Sequence, residues 1–143
     1  NYNTNKHRHI DEIYQQFENI TNSKINFSFN PHILPVFRGM MSTIYCDLEK
    51  NIKKNDIYTF LKRNYKNNKF IKILDSSEEA NFFNVNYTNN CLIKLYNHSE
   101  TNKIIIVSLI DNLIKGASGQ AVQCMNLMFG FNEDTALSRR LDV

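Results

Sequence analysis

Residues 104–130 read IIIVSLIDNLIKGASGQAVQCMNLMFG, an apolar run followed by a polar pair and then by an amphipathic segment. This order predicts a buried strand, a turn, and a helix from about Leu113 to Phe129 with Gly130 as the residue after its C-cap. Two glycines lie inside that helix, where each costs about 1 kcal/mol relative to alanine. Gly116 and Gly119 therefore imply either a ligand close to the backbone or close packing under a neighbouring element, and the sequence leaves both open.

Alternating apolar and polar residues, or short apolar runs, predict the strands of a sheet. They lie at residues 25–29, 40–48, 70–74, 91–96 and 103–110, the last two joined as a hairpin through residues 97–102. Residues 75–90 are rich in Ser, Glu and Asn and read mainly as a loop, with a strand around residues 82–85 as the alternative.

Helical spacing of apolar residues predicts two further helices. The first covers residues 10–19, with Asp11 and Glu12 in its first turn, where the helix dipole stabilises acidic groups. The second is capped by Asn55 or Asp56. Its buried stripe is predicted to hold Ile57, Phe60, Leu61 and Tyr65. Strands paired by hairpins, together with a few helices, indicate an α+β fold with a mixed, largely antiparallel sheet and helices on one face.

The composition favours one globular domain. The chain has 143 residues, 42% of them apolar, and a formal net charge of +3 that is spread over Asn-rich stretches. Because no basic stripe with interleaved aromatic residues is present, nucleic-acid binding is not indicated. No apolar run approaches the roughly 20 residues of a membrane span, and no signal-peptide pattern precedes the first helix. We therefore expect a cytoplasmic protein, or an organellar one if the source is eukaryotic.

The cysteines are predicted to be reduced and buried as apolar fillers. Cys46, Cys91 and Cys124 are widely spaced, without a Cys-x-x-Cys pair, and none has a neighbouring His or a Gly-rich turn that would activate a thiol. Neither a disulfide framework nor a zinc site is indicated, and no metal is predicted.

The densest polar constellation is at the start of the chain. His7 and His9 point the same way in extended backbone, and Glu12 can meet His9 one turn later if a helix begins there. A histidine oriented by a carboxylate can act as a general acid or base near neutral pH. A solvated polar cluster and a metal site are the alternatives, and the residues alone do not choose between them.

Arg38 lies on stiff backbone, because two prolines precede it and Gly39 follows it. A fixed guanidinium suits a carboxylate or a phosphate, which it can bind through two parallel hydrogen bonds. The alternative is an ion pair with an acidic residue on the surface of the same chain.

Three motifs taken together resemble a known family. They are HRHIDEI at residues 7–13, PHILPVFRG at residues 31–39 running into STIY at 42–45, and DNLIKGASGQAVQ at residues 111–123 followed by MNLMFG at 125–130. In this order they resemble the C-terminal half of the N-acetyl-gamma-glutamyl-phosphate reductase family, the arginine-pathway relatives of aspartate-semialdehyde dehydrogenase. The resemblance runs to about Leu137. The sequence departs from the family's pattern at residues 3–6, which lack its glycines, and at residues 138–143.

The resemblance implies a fold and an activity. Residues 1–143 would form one substrate-binding and dimerisation domain, similar to the C-terminal domain of glyceraldehyde-3-phosphate dehydrogenase. Family members reduce an acyl phosphate to a semialdehyde with NADPH, through a thioester on a cysteine of a Pro-Gly-Cys motif. This sequence has neither that motif nor a Rossmann Gly-rich turn, so we expect a C-terminal fragment that is inactive alone. Residues 111–130 are expected to pack on the missing NADP-binding domain.

The resemblance also implies residue roles. His7 would be the acid/base partner of the cysteine, and Asn112 would hold the nicotinamide carboxamide. Substrate would contact His9, Glu12 and Arg38, while Gly116 and Gly119 would let the cofactor approach the helix start.

Partners and alternatives follow from the same resemblance. A homodimer through the sheet and a small acyl phosphate substrate are expected. The alternatives are a paralogue that reduces aspartyl or aminoadipyl phosphate, and a non-catalytic oligomerisation module. If a cofactor domain is missing, an apolar patch is expected on the last helix, formed by Ala117, Ala121, Met125 and Met128.

Overall fold

The chain divides into two units, Asn1–Val36 and Phe37–Val143, and the computed structural model describes residues 1–4, 6–98 and 101–138. We call them the N-terminal unit and the sheet unit. In chain order the elements are α1 (His9–Thr21), β1 (Met40–Asp47), α2 (Lys54–Asn64), β2 (Ile71–Ile73), β3 (Cys91–Asn97), β4 (Lys103–Ile110) and α3 (Gly119–Met128). None of the helices in the described part of the chain is long and apolar enough to cross a membrane.

The N-terminal unit consists of α1 and an extended segment. The helix was predicted, and Asn22 ends it in a left-handed conformation (φ 51°) with its N–H bonded to the carbonyl of Glu18. The predicted strand at residues 25–29 is extended, but it has no strand partner among the described residues, so that prediction is wrong. One apolar residue of the alternating pattern packs on the helix instead: the Phe27 ring lies with its centroid 4.5 Å from that of Tyr14 and 5.5 Å from that of Phe17.

The sheet has the order β1-β4-β3-β2. Strands β1 and β3 both pair with β4 antiparallel, whereas β2 pairs with β3 parallel, so the prediction of an α+β fold with a mixed, largely antiparallel sheet is confirmed. One row across it is Ile44, Ile106 and Leu95, which lie opposite one another and share a face. The predicted β3–β4 hairpin is formed, and Ser99 and Glu100 of its connection lie outside the described residues.

A loop covers one face of this sheet. Leu92 and Leu109 of that face form the buried core with Leu74 and Val85, and the aromatic ring of Phe82 packs against them. The alternative of a strand around residues 82–85 is wrong, since Phe82–Asn84 is a 3₁₀ turn that begins at Asn81. The Asn81 side chain accepts a hydrogen bond from the Asn84 amide at 3.2 Å, which closes the turn locally instead of pairing it with a neighbour.

Helix α2 lies against β2 and β3. Its N-cap is Lys53, not Asn55 or Asp56 as predicted, and Asp56 caps from the third helical position by accepting the Lys53 amide hydrogen at 2.8 Å. Phe60, predicted to be buried, is 55% exposed. The helical period was therefore right, but the apolar stripe is only partly covered.

Strand β1 is one of the two edge strands of the sheet and is exposed on both faces. Met40 and Ile44 point to one side and Met41 and Tyr45 to the other, and each is at least 45% exposed. Both faces of this edge strand are thus open to solvent, although its sequence is more apolar than is usual for a solvated strand.

The last helix is shorter than predicted, because a π-turn, Ile114–Ser118, comes before α3. Its end is as predicted: Gly130 has φ 72°, and the amides of Gly130 and Phe131 bond the carbonyls of Leu127 and Asn126 at 3.3 and 2.8 Å. This is the Schellman arrangement. All residues of the expected apolar patch, and also Cys124, are exposed. The prediction that Cys124 is a buried filler is therefore wrong.

The two glycines of this region have different surroundings. A Cβ at Gly119 would lie 2.4 Å from Oδ1 of Asn89 and 2.6 Å from Cγ2 of Ile114, whereas at Gly116 the nearest atom, Cδ1 of Ile110, would lie at 3.4 Å. Close packing within the chain therefore explains Gly119 but not Gly116.

We expect Gly119→Ala to lower the free energy of unfolding by about 1–3 kcal/mol, because its methyl group overpacks a buried site. Gly116→Ala is the matched control, with an expected change of no more than about 1 kcal/mol in the stabilising direction, since alanine restricts the unfolded chain. Urea denaturation measures both. Equal effects of the two substitutions would contradict the packing argument.

Candidate functional site

The N-terminal unit brings His7 and His9 together. Their rings meet edge to face with centroids 4.7 Å apart, and the rings of Phe29 and Tyr2 lie 5.3 and 5.5 Å from that of His7. Both histidines are half-buried, and α1 begins at His9. His7 is therefore held just before the first helical turn, in a partly aromatic setting.

A backbone hydrogen bond distinguishes between the two neutral tautomers of His7. The backbone N–H of His9 lies 3.2 Å from Nδ1 of His7 and donates to it, so Nδ1 carries a lone pair and the ring proton is on Nε2. Nε2 lies 3.3 Å from the hydroxyl of Tyr2. In this tautomer His7 can donate a hydrogen bond from Nε2 to an acceptor that reaches it.

Glu12 is not part of this contact network. It is exposed in the first turn of α1 and makes no ion pair or hydrogen bond with His9 within residues 1–4, 6–98 and 101–138. Its carboxylate lies near the helix N-terminus, where the helix dipole stabilises a negative charge. Its role in binding substrate stays a prediction.

The second group of polar residues lies in the sheet unit, around Asp111 at the end of β4. Its side chain is fully buried and accepts hydrogen bonds from three backbone amides, those of Tyr87 at 2.7 Å, Leu113 at 2.8 Å and Ile114 at 2.9 Å. Nε of Arg38 lies 2.8 Å from Oδ2 of the same carboxylate. One acidic group thus holds a loop residue, the turn that follows β4, and the arginine of the Pro-rich motif.

These donors also set the charge of Asp111. Burial alone would raise the pKa of the Asp111 carboxyl, but the amide hydrogens of Tyr87, Leu113 and Ile114 and the Arg38 guanidinium outweigh it and hold the pKa below its ordinary value. The group is therefore ionised at neutral pH and pairs with Arg38 as a carboxylate.

Arg38 is fixed from two directions. Its Nε faces Asp111, and Cζ lies 4.4 Å from the centroid of the Tyr87 ring, within the range of a cation–π contact. The Arg38 side chain is 12% exposed, and its Nη groups make no hydrogen bond to the described residues. The alternative of an ion pair with a surface acid is therefore correct about the ion pair, through Nε, but wrong about the surface, because Asp111 is buried. The Nη groups have no partner among the described residues.

Asn112 has one half of its amide already engaged. Its Oδ1 accepts the Gly39 amide hydrogen at 2.8 Å, so its side chain can offer only Nδ2 to a ligand, as a donor. Gly39 has φ 117°, and a Cβ there would lie 2.3 Å from the Phe82 ring, so no other residue fits at this position. Asn112 thus holds the backbone of Gly39, the residue directly after Arg38 in the Pro-rich motif.

Lys115 belongs to a separate polar network. Its Nζ donates to Oε1 of Gln123 at 2.6 Å, Asn89 donates to the same oxygen at 3.0 Å, and Gln123 in turn donates to Glu133 at 3.2 Å. Burial lowers the pKa of Lys115, while Cys91, Cys124 and Glu133 act in the opposite direction. Through Gln123 the network connects α3 to the turn before it, to the loop that contains Asn89 and to the segment after the helix, so it stabilises the fold of this region.

The sequence did not reveal two residues of this arrangement. In the sequence Asp111 is one half of a polar pair with Asn112, and its place directly after an apolar strand is the signal that could indicate a buried, multiply bonded carboxylate. Tyr87 gave no signal, because it lies in the Asn-rich loop and reaches Arg38 only through the fold. Within the described residues, no group of three or more His, Cys, Asp or Glu side chains could hold a metal ion.

Comparison with known proteins places this chain in a family. Residues 1–112 match the model of the semialdehyde dehydrogenase dimerisation domain, which is most of the chain. The chain belongs to this family. The match contains His7, His9, Glu12, Arg38 and Asn112.

Curated relatives carry a more specific name. The chain is 46% identical over 136 residues to an N-acetyl-gamma-glutamyl-phosphate reductase of Thermoanaerobacter pseudethanolicus, an alignment that covers 95% of this chain and 40% of the relative. It is 48% identical to one of Brachyspira hyodysenteriae, covering 96% and 39%. It is 39% identical to a probable chloroplastic one of Arabidopsis thaliana, covering 95% and 34%. The resemblance drawn from the three sequence motifs is thereby confirmed, and the chain spans about two fifths or less of the length of these relatives.

We expect Asp111→Asn to lower the free energy of unfolding by about 3–5 kcal/mol at neutral pH, because it leaves Arg38 buried without its counter-charge. The pKa of Asp111 is lowered by folding, so its contribution is complete above the ordinary aspartate pKa of about 3.9 and is lost as pH falls through the folded value. The difference between wild type and variant should therefore narrow below about pH 4.

Asp47→Asn is the control for this measurement, since the Asp47 side chain is 81% exposed in its ion pair with Lys103. It should cost less than about 1 kcal/mol. A urea denaturation series from pH 3 to pH 8 covers both variants, and a difference independent of pH would argue against an ionised Asp111.

Proposed function

We propose that this chain is the substrate-binding and dimerisation part of an NADPH-dependent N-acetyl-gamma-glutamyl-phosphate reductase, which converts the acyl phosphate to the semialdehyde. The observation that carries the proposal is the alignment at 46% identity over 95% of the chain with a reductase of that name. The relatives' name implies a nicotinamide cofactor, and we infer that it is NADPH. We expect the enzyme to act in the cytoplasm, or in an organelle in a eukaryote.

His7 is the proposed acid/base residue. The tautomer that the His9 amide favours has a proton on Nε2, which can donate a hydrogen bond to an oxygen or sulfur that develops negative charge in acyl transfer. The half-buried position beside the Tyr2 and Phe29 rings limits its contact with water. His9 and Glu12 are proposed to contact the substrate from the same helix start.

Arg38 and Asn112 are proposed to bind the anionic substrate and the nicotinamide carboxamide, respectively. Two Nη groups without a partner in the described chain match two oxygens of a phosphate or carboxylate. Asn112 offers Nδ2 as a donor, which fits the carbonyl oxygen of the carboxamide. Exposed Gly116 leaves room for a cofactor beside this turn, whereas Gly119 is already explained by packing.

We infer that the nucleophilic cysteine and a Rossmann cofactor domain come from residues outside this chain. No cysteine here follows a Pro-Gly pair, and no Gly-rich dinucleotide-binding turn is present. On this proposal the 143 residues act as one domain that is inactive alone, and the exposed apolar patch on α3 packs against the cofactor domain.

The activity is tested with a chimera. The segment of the Thermoanaerobacter reductase that aligns with this chain is replaced by residues of this chain, and NADPH oxidation with the acyl phosphate is measured. We expect activity from the chimera, and none from the chain alone. Lack of activity in a folded chimera, or a preference for aspartyl phosphate, would contradict the proposed reaction.

His7→Asn in this chimera should lower kcat by about a hundredfold or more, the typical contribution of a positioned general acid or base. His32→Asn is the matched control, because His32 is an exposed histidine of the same unit and, among the described residues, bonds only the nearby Asn30 carbonyl. Full activity of His7→Asn would remove His7 from the mechanism.

The homodimer is proposed to form through the sheet, at β1. An edge strand with exposed apolar side chains on both faces can pair with a second copy, and the matched family is described as a dimerisation domain. Ile44→Lys should shift the chain from dimer to monomer in sedimentation velocity, whereas Glu49→Lys, just after the strand, should leave the dimer intact. A wild-type chain that is monomeric at all concentrations would contradict the interface.

A further inference from the structure

We propose that Asp111 and Tyr87 are positioning residues that together orient the guanidinium of Arg38, so that its Nη edge faces a substrate oxyanion. The inference rests on the role of Arg38 given under Proposed function and adds two residues that this role depends on. Neither residue needs to touch the substrate.

A planar guanidinium requires two constraints before it points in one direction. A contact on one edge leaves the plane free to rotate about that edge, and a contact on its face leaves it free to slide. Asp111 constrains the edge through Nε at 2.8 Å, and the Tyr87 ring constrains the face at 4.4 Å from Cζ. Together the two contacts leave only the Nη edge unpaired, and an oxyanion requires two parallel donors there.

Tyr87 is held in this place against its own backbone preference. Its φ is 63°, a left-handed conformation that is unfavourable for an aromatic residue. The strain is offset by the bond from the Tyr87 amide to Oδ2 of Asp111 at 2.7 Å. The same carboxylate oxygen therefore holds the Tyr87 backbone and Arg38 Nε, so the ring and the guanidinium keep a fixed mutual position.

The test uses substitutions that separate positioning from stability. Tyr87→Asn removes the ring but tolerates positive φ, so the fold should be at least as stable as the wild type. Tyr87→Phe keeps the ring and the strain and is the conservative control. Asp111→Asn is included if circular dichroism shows that it folds, and the Tyr87 pair decides the matter if it does not.

Two quantities are measured on the whole chain. The first is the exchange rate of the Arg38 Nε hydrogen, read by nitrogen-15 NMR without any ligand. The second is the affinity for inorganic phosphate, read by the shift of the same signal. Tyr87→Asn should weaken phosphate binding by about two- to tenfold, the cost of ordering a long side chain on binding, and should speed Nε exchange. Tyr87→Phe should match the wild type in both.

Each outcome has a defined meaning. Unchanged exchange and affinity in Tyr87→Asn would overturn the positioning role, as would a loss in Tyr87→Phe equal to that in Tyr87→Asn. Arg38→Gln tests the proposed function separately: if it binds phosphate as the wild type does, Arg38 is not the anion contact. The Nε exchange rates alone would then uphold or overturn the positioning by Asp111 and Tyr87.

Discussion

The arrangement of the sheet unit around its candidate site depends on one buried carboxylate. Asp111 is fully buried, and the cost of burying an ion is met only because four groups of positive or partly positive charge converge on it. Three are backbone amides from a loop and from the turn after β4, and the fourth is Arg38. Removing the charge would therefore disconnect segments that are far apart in sequence.

Local sequence patterns predicted the elements well where one short segment determines its own structure. The strands at 40–47, 91–97 and 103–110 follow directly from apolar alternation or from short apolar runs, and the Schellman end at Gly130 follows from the need for a residue with positive φ. Prediction failed where a partner decides. Residues 25–29 have the alternation of a strand, but no ladder can form without a second strand, and Cys124 has the spacing of a core residue on a helix that is exposed.

The candidate site shows the same division between local and tertiary information. His7, Arg38 and Asn112 could be named from motifs, because family resemblance acts on short stretches of sequence. Tyr87 could not, since its contact with Arg38 depends on where a loop lies over the sheet. The two glycines could not be told apart either, because the positions of Asn89 and Ile114 in the fold distinguish the packing glycine at 119 from the open one at 116.

Strand β1 has a consequence for handling the isolated chain. Its outer hydrogen-bonding edge is free within the sheet, and its apolar side chains are exposed on both faces, which is the pattern of an aggregation-prone segment. When two copies pair their β1 edges about a two-fold axis, both edges are used and the assembly stops at a dimer. A head-to-tail contact between the two faces leaves one face open on each copy, so further copies can add without limit. Low protein concentration and mild refolding conditions should therefore favour the closed assembly over insoluble material, because growth by open contacts is the step that depends most strongly on concentration.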